Sequence, residues 1–391
     1  MLDIARVQSM LKEADLDGWL LADFHGRNTI ATGLLDLNQM LTRRSFYFIP
    51  VEGEPVCLVN SVEPLPFEHL PGELRPYSGY KMMESALVKI LSGCNTIAME
   101  YSAQGRNPYI GLVEAGTIEL VRDMGLTIAP SADMVSLFLA QLSEAQVAKH
   151  HEAARNVMEI MRESHKFIAE SLDSGKTIHE YDVVQFIMSQ FESRGMVTDH
   201  SPICAVDANA GNGHYSPDPA SSAEIKKGQL ILIDEWGKLD HADGIVADIT
   251  WMAYSGTESE IPSEYHDIFN VVKSGRDAAY AYLKEHIGKG DVRGADVDDA
   301  CRNVIVEAGY GKNFGHRTGH SITWETHGAG PNIDNLETED ARILQPGHLF
   351  SIEPGIYSDK FGFRSEVNCL ITSDGPVITT APAQDKIVAL F

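Results

Sequence analysis

The chain of 391 residues has only five cysteines, Cys57, Cys94, Cys204, Cys301 and Cys369, and none forms a CxxC pair. That odd count and spacing suggest neither a disulfide framework nor a zinc knuckle. Nor is there an apolar run near the ~18 residues needed to span a bilayer. Positive charge is scarce: 31 Lys and Arg stand against 56 Asp and Glu, a net charge of −25. Such a surface repels phosphate backbones and anionic lipid, so neither nucleic acid nor a membrane is expected as a partner. The opening MLDIARVQSMLKEADLDG mixes acidic residues with helically spaced apolar ones. A basic region followed by an apolar run is missing, which argues against a secretory signal, and a cytoplasmic protein is expected.

What is present is ordinary globular material, 43% hydrophobic and 22% charged, in a chain too long for one common core. Two domains are expected, 1–142 and 143–391. In the first, Ile4, Val7, Leu11 and Ala14 are spaced as on a helix and GWLLAD reads as a buried strand. RSFYFIP and PVCLVN flank the turn VEGE as a hairpin, and NTIAME is a further strand. This is α/β material without a catalytic cluster, and APSADMVSLFLAQLSEAQ is expected to close it as a loop and a cap. From Ser143 a long amphipathic helix begins, with Glu144 in its first turn, and three more helices follow near 179–195, 267–290 and 296–311. Strand-like runs lie among them: QLILIDEWGKL, GIVADITWMAYSG, HLFSIEPGIY and EVNCLITSDGPVIT. Helices interleaved with hairpins predict an α+β domain around an antiparallel sheet.

Chemistry concentrates in that second part. Asp234 and Asp248 lie on two strand-like runs joined by the polar turn LDHAD; if they stand opposite one another, Trp236 pairs with Val246 and Lys238 with Gly244. Carboxylates that close repel unless a cation lies between them or one holds a proton. NFGHRTGHSITWETHGAGP carries His316, His320 and His327; the HExxH zinc pattern fails because Arg317 occupies the Glu position. Glu353 precedes Pro354–Gly355, which should end its strand, and Glu366 sits among strand formers beside Arg364. A glutamate on an apolar strand is costly to bury without a cation or hydrogen bonds. DANAGNGHYSPD, with His214, lacks the lysine and following helix of a phosphate loop.

The order Asp, Asp, His, Glu, Glu on successive strands, preceded by a G-x-HY segment, resembles the creatinase/prolidase/methionine aminopeptidase family. HRTGH resembles its HGTGH motif, SIEPGIY its VEPGxY, FRSE its RxE and DIT its second-Asp motif. The resemblance spans roughly residues 143–391 and implies the pita-bread fold; the first ~140 residues resemble the N-terminal α/β domain of its aminopeptidase P, prolidase and creatinase members. It further implies that Asp234, Asp248, His320, Glu353 and Glu366 bind two divalent metal ions, with Asp248 and Glu366 bridging and Glu353 also acting as base. Oxygen-rich donors with one imidazole suit manganese first, then cobalt, zinc or iron. Two such ions can hold a hydroxide and polarise a carbonyl. His214 and His327 are similar to the imidazoles that steady the oxyanion, and His316 to one lining the substrate pocket. Arg364 is expected in the substrate site, pairing with a ligand carboxylate.

Departures from the family pattern touch the pocket, not the ligands. The turn is longer than usual, and Asp240, His241 and Asp243 within it are expected to be solvated. Trp236 and Trp251 stand where members often have Gly and Arg, and Val367 where they often have Asp. The implied activity is hydrolysis of Xaa-Pro bonds, as in aminopeptidase P or prolidase, by a homodimer. A proline pocket would draw on Trp236, Trp251, Trp324 and Tyr215. The alternatives are a metal-dependent hydrolase or lyase of a small metabolite on the same scaffold, or a metal-free creatinase-type amidinohydrolase.

Overall fold

Two kinds of apolar pattern divide the chain, and each builds its own compact unit, Met1–Leu139 and Ala140–Phe391. A computed structural model describes residues 2–213 and 215–391.

In the first unit the apolar run of β1 (Gly18–Phe24) is buried on both faces, which is why it reads as continuous rather than alternating. Trp19 and Leu21 join one cluster with Val7 and Leu11; Leu20 and Ala22 join another with Met83, Leu87 and Val121. The sheet also contains β2 (Arg44–Pro50), β3 (Val56–Asn60), β4 (Glu73–Tyr77), β5 (Thr96–Met99) and β6 (Thr127–Pro130), in the order β4-β3-β2-β1-β5-β6. The β2–β3 pair is the hairpin expected around VEGE. Five helices supply the flanking apolar side chains: α1 (Ile4–Glu13), α2 (Thr29–Leu34), α3 (Tyr80–Ile90), α4 (Ala115–Asp123) and α5 (Ala132–Leu139). The stretch expected to be loop and cap is therefore β6 followed by α5. Pro130 ends an edge strand, where a missing N–H costs nothing, and α5 buries Met134 and Val135.

In the second unit α6 (Glu144–Asp173) opens with a capping box. Ser143 Oγ accepts from the Gln146 N–H, and the Gln146 side chain accepts from the Ser143 N–H. Then come α7 (Glu180–Ser193), β7 (Met196–Val197), β8 (Ile203–Val206), β9 (Leu230–Leu239) and β10 (Ala247–Tyr254). Helices α8 (Ser263–His286) and α9 (Gly294–Glu307) precede β11 (Leu349–Ile352), β12 (Gly355–Tyr357), β13 (Gly362–Arg364), β14 (Val367–Thr372), β15 (Gly375–Ile378) and β16 (Val388–Ala389). The strands around β9 and β10 pair antiparallel, apart from β16, which runs parallel to β10.

Period-two alternation splits the central sheet. Ile231, Ile233, Ile249 and Ala253 face the cluster built with α6 and α7, while Leu230, Leu232, Met252 and Tyr254 face the one built with α8 and α9. Pro354 separates β11 from β12, as its position in the strand requires. No helix among the described residues is long and apolar enough to cross a membrane.

Candidate metal centre

Strand β9 pairs with β10 so that Asp234 faces Thr250 and Asp248 faces Trp236. The register expected from the sequence, with Asp234 opposite Asp248, is thus displaced by two residues. The cause lies at the connection, which runs over residues 240–246. The end of β9 leaves β10 to pair with β7, and the Val246 N–H donates to the Thr323 carbonyl instead. A slip of two residues keeps every side chain on its face. Asp234 and Asp248 still project from the same side, as diagonal neighbours about 7–8 Å apart at Cα rather than as a facing pair.

Two further segments meet them there. The His320 backbone N–H donates to Ser351 Oγ at 2.9 Å, and Ser351 Oγ donates to Glu353 Oε1 at 3.1 Å. One hydroxyl thus fixes both a histidine and a glutamate. His320 Nδ1 lies 3.2 Å from the Ser321 carbonyl, and Nε2 is aimed at Glu353 Oε1 (3.2 Å) and Asp248 Oδ2 (3.6 Å), carboxylates that raise the imidazole pKa against its burial. Glu366 arrives between β13 and β14, and its Oε2 accepts from the Thr250 hydroxyl at 2.9 Å. Asp248 is held from behind: its N–H donates to Asn368 Oδ1 and its carbonyl accepts from Asn368 Nδ2.

Asp248, His320 and Glu366 each offer a donor atom within 4.8 Å of the others. Asp234, Asp248, His320 and Glu366 are buried, while the Glu353 side chain keeps 16% exposure. Burial pushes the Asp234 and Glu366 carboxyls up and Asp248 to about 7, with repulsion from neighbouring carboxylates adding to each. Burial acts on Glu353 too, but His320 and Arg364 outweigh it and hold Glu353 below the usual range. Three buried oxygens in this cluster, Asp234 Oδ1, Asp248 Oδ1 and Glu366 Oε1, have no hydrogen-bond partner among the described residues. Orphaned carboxylate oxygens beside a buried imidazole are the donor set a divalent cation satisfies, displacing any proton on the ring nitrogen, so the residues present fit a metal.

The sequence profile described as metallopeptidase family M24 matches residues 148–373, more than half of the chain. The chain belongs to metallopeptidase family M24. It is 27% identical over 241 residues to a putative dipeptidase of Bacillus subtilis (strain 168), covering 60% of this chain and 61% of that one. It is 30% identical over 187 residues to an Xaa-Pro dipeptidase of Pyrococcus horikoshii, covering 47% and 49%. The chain thus spans about half to three-fifths of these curated relatives. In fold it is similar to the crystal structure of dipeptidase PepE from Mycobacterium ulcerans, with a TM-score of 0.70, 17% identity, and 99% and 96% of the two chains covered. The α+β pita-bread architecture expected from the motifs is the one this M24 chain adopts.

Around the cluster the remaining residues sort by geometry. Arg364 is buried, and each guanidinium nitrogen has a partner: Nη2 contacts Asp234 Oδ2, Nε donates to Thr250 Oγ1 at 2.9 Å and Nη1 to Tyr357 Oη at 3.2 Å. It pairs with a carboxylate of the cluster, as expected. His316 is held between the Arg317 carbonyl at 2.7 Å and Tyr357 Oη at 2.9 Å. His327 sets its ring edge-on 4.5 Å from that of His320, and desolvation, with the His320 charge, lowers its pKa to about 4. His214 lies outside the described residues.

Trp251 is not a pocket residue. It falls on the opposite face of β10 from Asp248 and Thr250, with its ring 6.3 Å from His165 in the α6 cluster. Tyr215 donates to Glu180 Oε2 at 2.6 Å. Trp324 is exposed, and so are Asp240 and His241, while Asp243 is half-buried; none of these turn residues joins the cluster. Sequence reasoning missed Thr250, Ser351 and Asn368, whose small polar side chains on apolar strands carry no distinguishing spacing. It also missed Arg276 of α8, which donates to Ser365 Oγ at 2.7 Å, between Arg364 and Glu366.

Proposed function

We propose that this chain is a dinuclear metal-dependent peptidase that hydrolyses Xaa-Pro bonds, with dipeptides as its preferred substrates. The observation that carries the reading is the set of orphaned oxygens on Asp234, Asp248 and Glu366 facing His320. Asp234, Asp248, His320, Glu353 and Glu366 would hold two divalent ions, with manganese favoured by the oxygen-rich donor set. Such ions acidify water and polarise a scissile carbonyl. The names of the M24 relatives, dipeptidase and Xaa-Pro dipeptidase, support a dipeptide substrate. By resemblance to the family the protein is read as a homodimer.

Glu353 is the candidate base. It is the most exposed carboxylate of the cluster, and the charges of His320 and Arg364 keep it ionised near neutrality despite its burial. It takes the proton of the attacking water and passes it to the departing imino nitrogen. His327, neutral at physiological pH because its ring is desolvated, can donate a hydrogen bond to the oxygen that becomes negative as the carbonyl is attacked. The resemblance gives His214 the same work and His316 a place beside the substrate. Arg364 holds Asp234 and so sets the direction of one carboxylate.

The test is a panel assay on purified protein with Mn²⁺ added, using Xaa-Pro dipeptides, longer Xaa-Pro peptides and Xaa-Ala controls. Metal analysis should return close to two ions per chain, with turnover of Xaa-Pro dipeptides fastest. Glu353→Gln should lower kcat by about 10²–10⁴-fold while bound metal remains detectable. A metal-loaded protein that cleaves no member of the panel would overturn the reading and leave a small non-peptide substrate on the same scaffold.

A further inference from the structure

Asp199, in the loop between β7 and β8, lies at the end of two independent paths that start at the candidate ligands. One path runs along the sheet: Asp248 faces Trp236 across the strands, and the Trp236 indole Nε1 donates to Asp199 Oδ1 at 2.8 Å. The other runs through the histidine segment. The His320 ring packs 4.5 Å from that of His327, and Thr326, its neighbour in sequence, donates from Oγ1 to Asp199 Oδ1 and Oδ2 at 3.1 and 3.2 Å. Asp248 and His320 are themselves 3.6 Å apart, so the two paths close into a ring with Asp199 at its outer edge.

Two donors from separate segments hold this carboxylate still, yet 47% of its side chain faces solvent. Burial of its inner side acts to raise its pKa, but the hydrogen bonds from Trp236 and Thr326 outweigh that and keep it below the usual carboxylate range. Among the described residues its ion-pair partner is His200, with Nδ1 at 3.5 Å on a ring that is 82% exposed. Lys238, the nearest cation along β9, instead donates from Nζ to the Trp324 carbonyl at 2.6 Å. The result is a fixed negative charge, open to solvent, one tryptophan side chain outward from Asp248.

We propose that Asp199 is a specificity residue that receives the cationic side chain of a lysine or arginine preceding the scissile bond. This rests on the peptidase reading above. A substrate's own α-ammonium lies two bonds from the scissile carbonyl carbon and stays beside the candidate ligands. Asp199 stands a whole indole farther out, and only a long cationic stem spans that gap. The partly buried Trp236 lines the route, offering its ring to the methylenes and its face to the charge. A neutral side chain of equal length would gain the packing without the ion pair.

The experiment compares Lys-Pro with norleucine-Pro, an isostere without the charge, on metal-loaded wild type, Asp199→Asn and Asp199→Ala. Asparagine keeps Oδ1, which accepts from both Trp236 and Thr326, and removes the charge with only the second Thr326 contact at Oδ2. Wild type should favour Lys-Pro in kcat/KM by about fivefold, the upper range for ion pairs open to solvent. Asp199→Asn should lose that preference through KM for Lys-Pro, with kcat and all norleucine-Pro constants unchanged. The preference should also shrink as ionic strength rises. Equal use of both peptides by wild type would overturn the inference while leaving the peptidase reading intact. So would an Asn variant that retains the preference, or one that slows both peptides alike as Asp199→Ala does, since Asp199 would then be only a clamp for Trp236. If neither peptide is cleaved, the peptidase reading fails and takes this inference with it.

Discussion

Thr250 stands directly across the strands from Asp234, and its hydroxyl donates to Glu366 Oε2 at 2.9 Å while accepting from Arg364 Nε at 2.9 Å. Arg364 in turn contacts Asp234. One small side chain therefore ties together two carboxylates that are far apart in sequence and carry no direct bond to each other. It does so without using up the oxygens that matter, because Asp234 Oδ1 and Glu366 Oε1 remain without a partner among the described residues. The network orients one oxygen of each carboxylate and leaves the other for a cation.

Removing that hydroxyl should loosen the site before it harms the fold. Thr250→Val keeps the shape and the strand preference but leaves Arg364 Nε and Glu366 Oε2 short of a partner in a buried place. Metal affinity should fall by about 10–100-fold, the effect of deleting a residue that orients a ligand, and stability by about 1–3 kcal/mol. Thr250→Ser should recover most of both. Calorimetric titration of Mn²⁺ into chelator-stripped protein, with a thermal melt of each variant, checks the two numbers separately. A valine variant that binds metal as wild type does would show that the Thr250 hydroxyl does not orient these carboxylates.

Stripping the metal should make stability depend on pH in an unusual direction. Burial, with repulsion from its neighbours, raises Asp248 from 3.8 to about 7, and Asp234 and Glu366 move the same way. A carboxyl whose pKa is higher folded than unfolded favours the native state fully below its unfolded pKa. That contribution is lost as pH rises through the folded value. The chelated protein should therefore lose thermal stability between about pH 4 and pH 7, the range over which most proteins gain or hold it. Adding divalent metal should remove the loss, because a cation replaces the protons, and should raise the melting temperature most at the alkaline end. Melts of chelated and Mn²⁺-loaded protein from pH 5 to 8 decide it; parallel curves for the two would mean these carboxylates are not where metal binds.

Much of this arrangement was legible in the sequence, and what was not has physical reasons. The order of Asp234, Asp248, His320, Glu353 and Glu366 marked the residues that gather, because each sits in a recognisable motif with a Gly, a Pro or a second polar residue within two positions. The register between Asp234 and Asp248 was not legible. A two-residue slip leaves the alternation of apolar and polar positions unchanged, so periodicity cannot distinguish the two pairings. What set it was Val246 donating to Thr323 and the end of β9 pairing with β7, both long-range events. Trp251 misled for a related reason, since its neighbour Thr250 faces the site and alternation turns Trp251 to α6. In the first unit the short α5 was hidden because six of its eight residues, ADMVSLFL, are apolar, so no polar face marks a helical period.

The glycine between Thr318 and His320 offers the sharpest structural test of the histidine motif. Gly319 exchanges hydrogen bonds with Ile333 on one side, and on the other it approaches β11 so closely that a Cβ would lie 1.9 Å from the Ser351 carbonyl oxygen. That oxygen belongs to the backbone and cannot turn away. Gly319→Ala must therefore push the segment off β11. The bond most exposed to that movement is the one from the His320 N–H to Ser351 Oγ, through which Glu353 is also placed. Overpacking of this kind costs about 1–3 kcal/mol, and a ligand displaced by an ångström loses far more function than stability. The variant should fold with a lowered melting temperature, bind Mn²⁺ more weakly and show a kcat reduced by about 10²-fold. A substitution confined to packing would lower the melting temperature and leave metal affinity alone, so the two readouts together separate a crowded strand from a displaced His320.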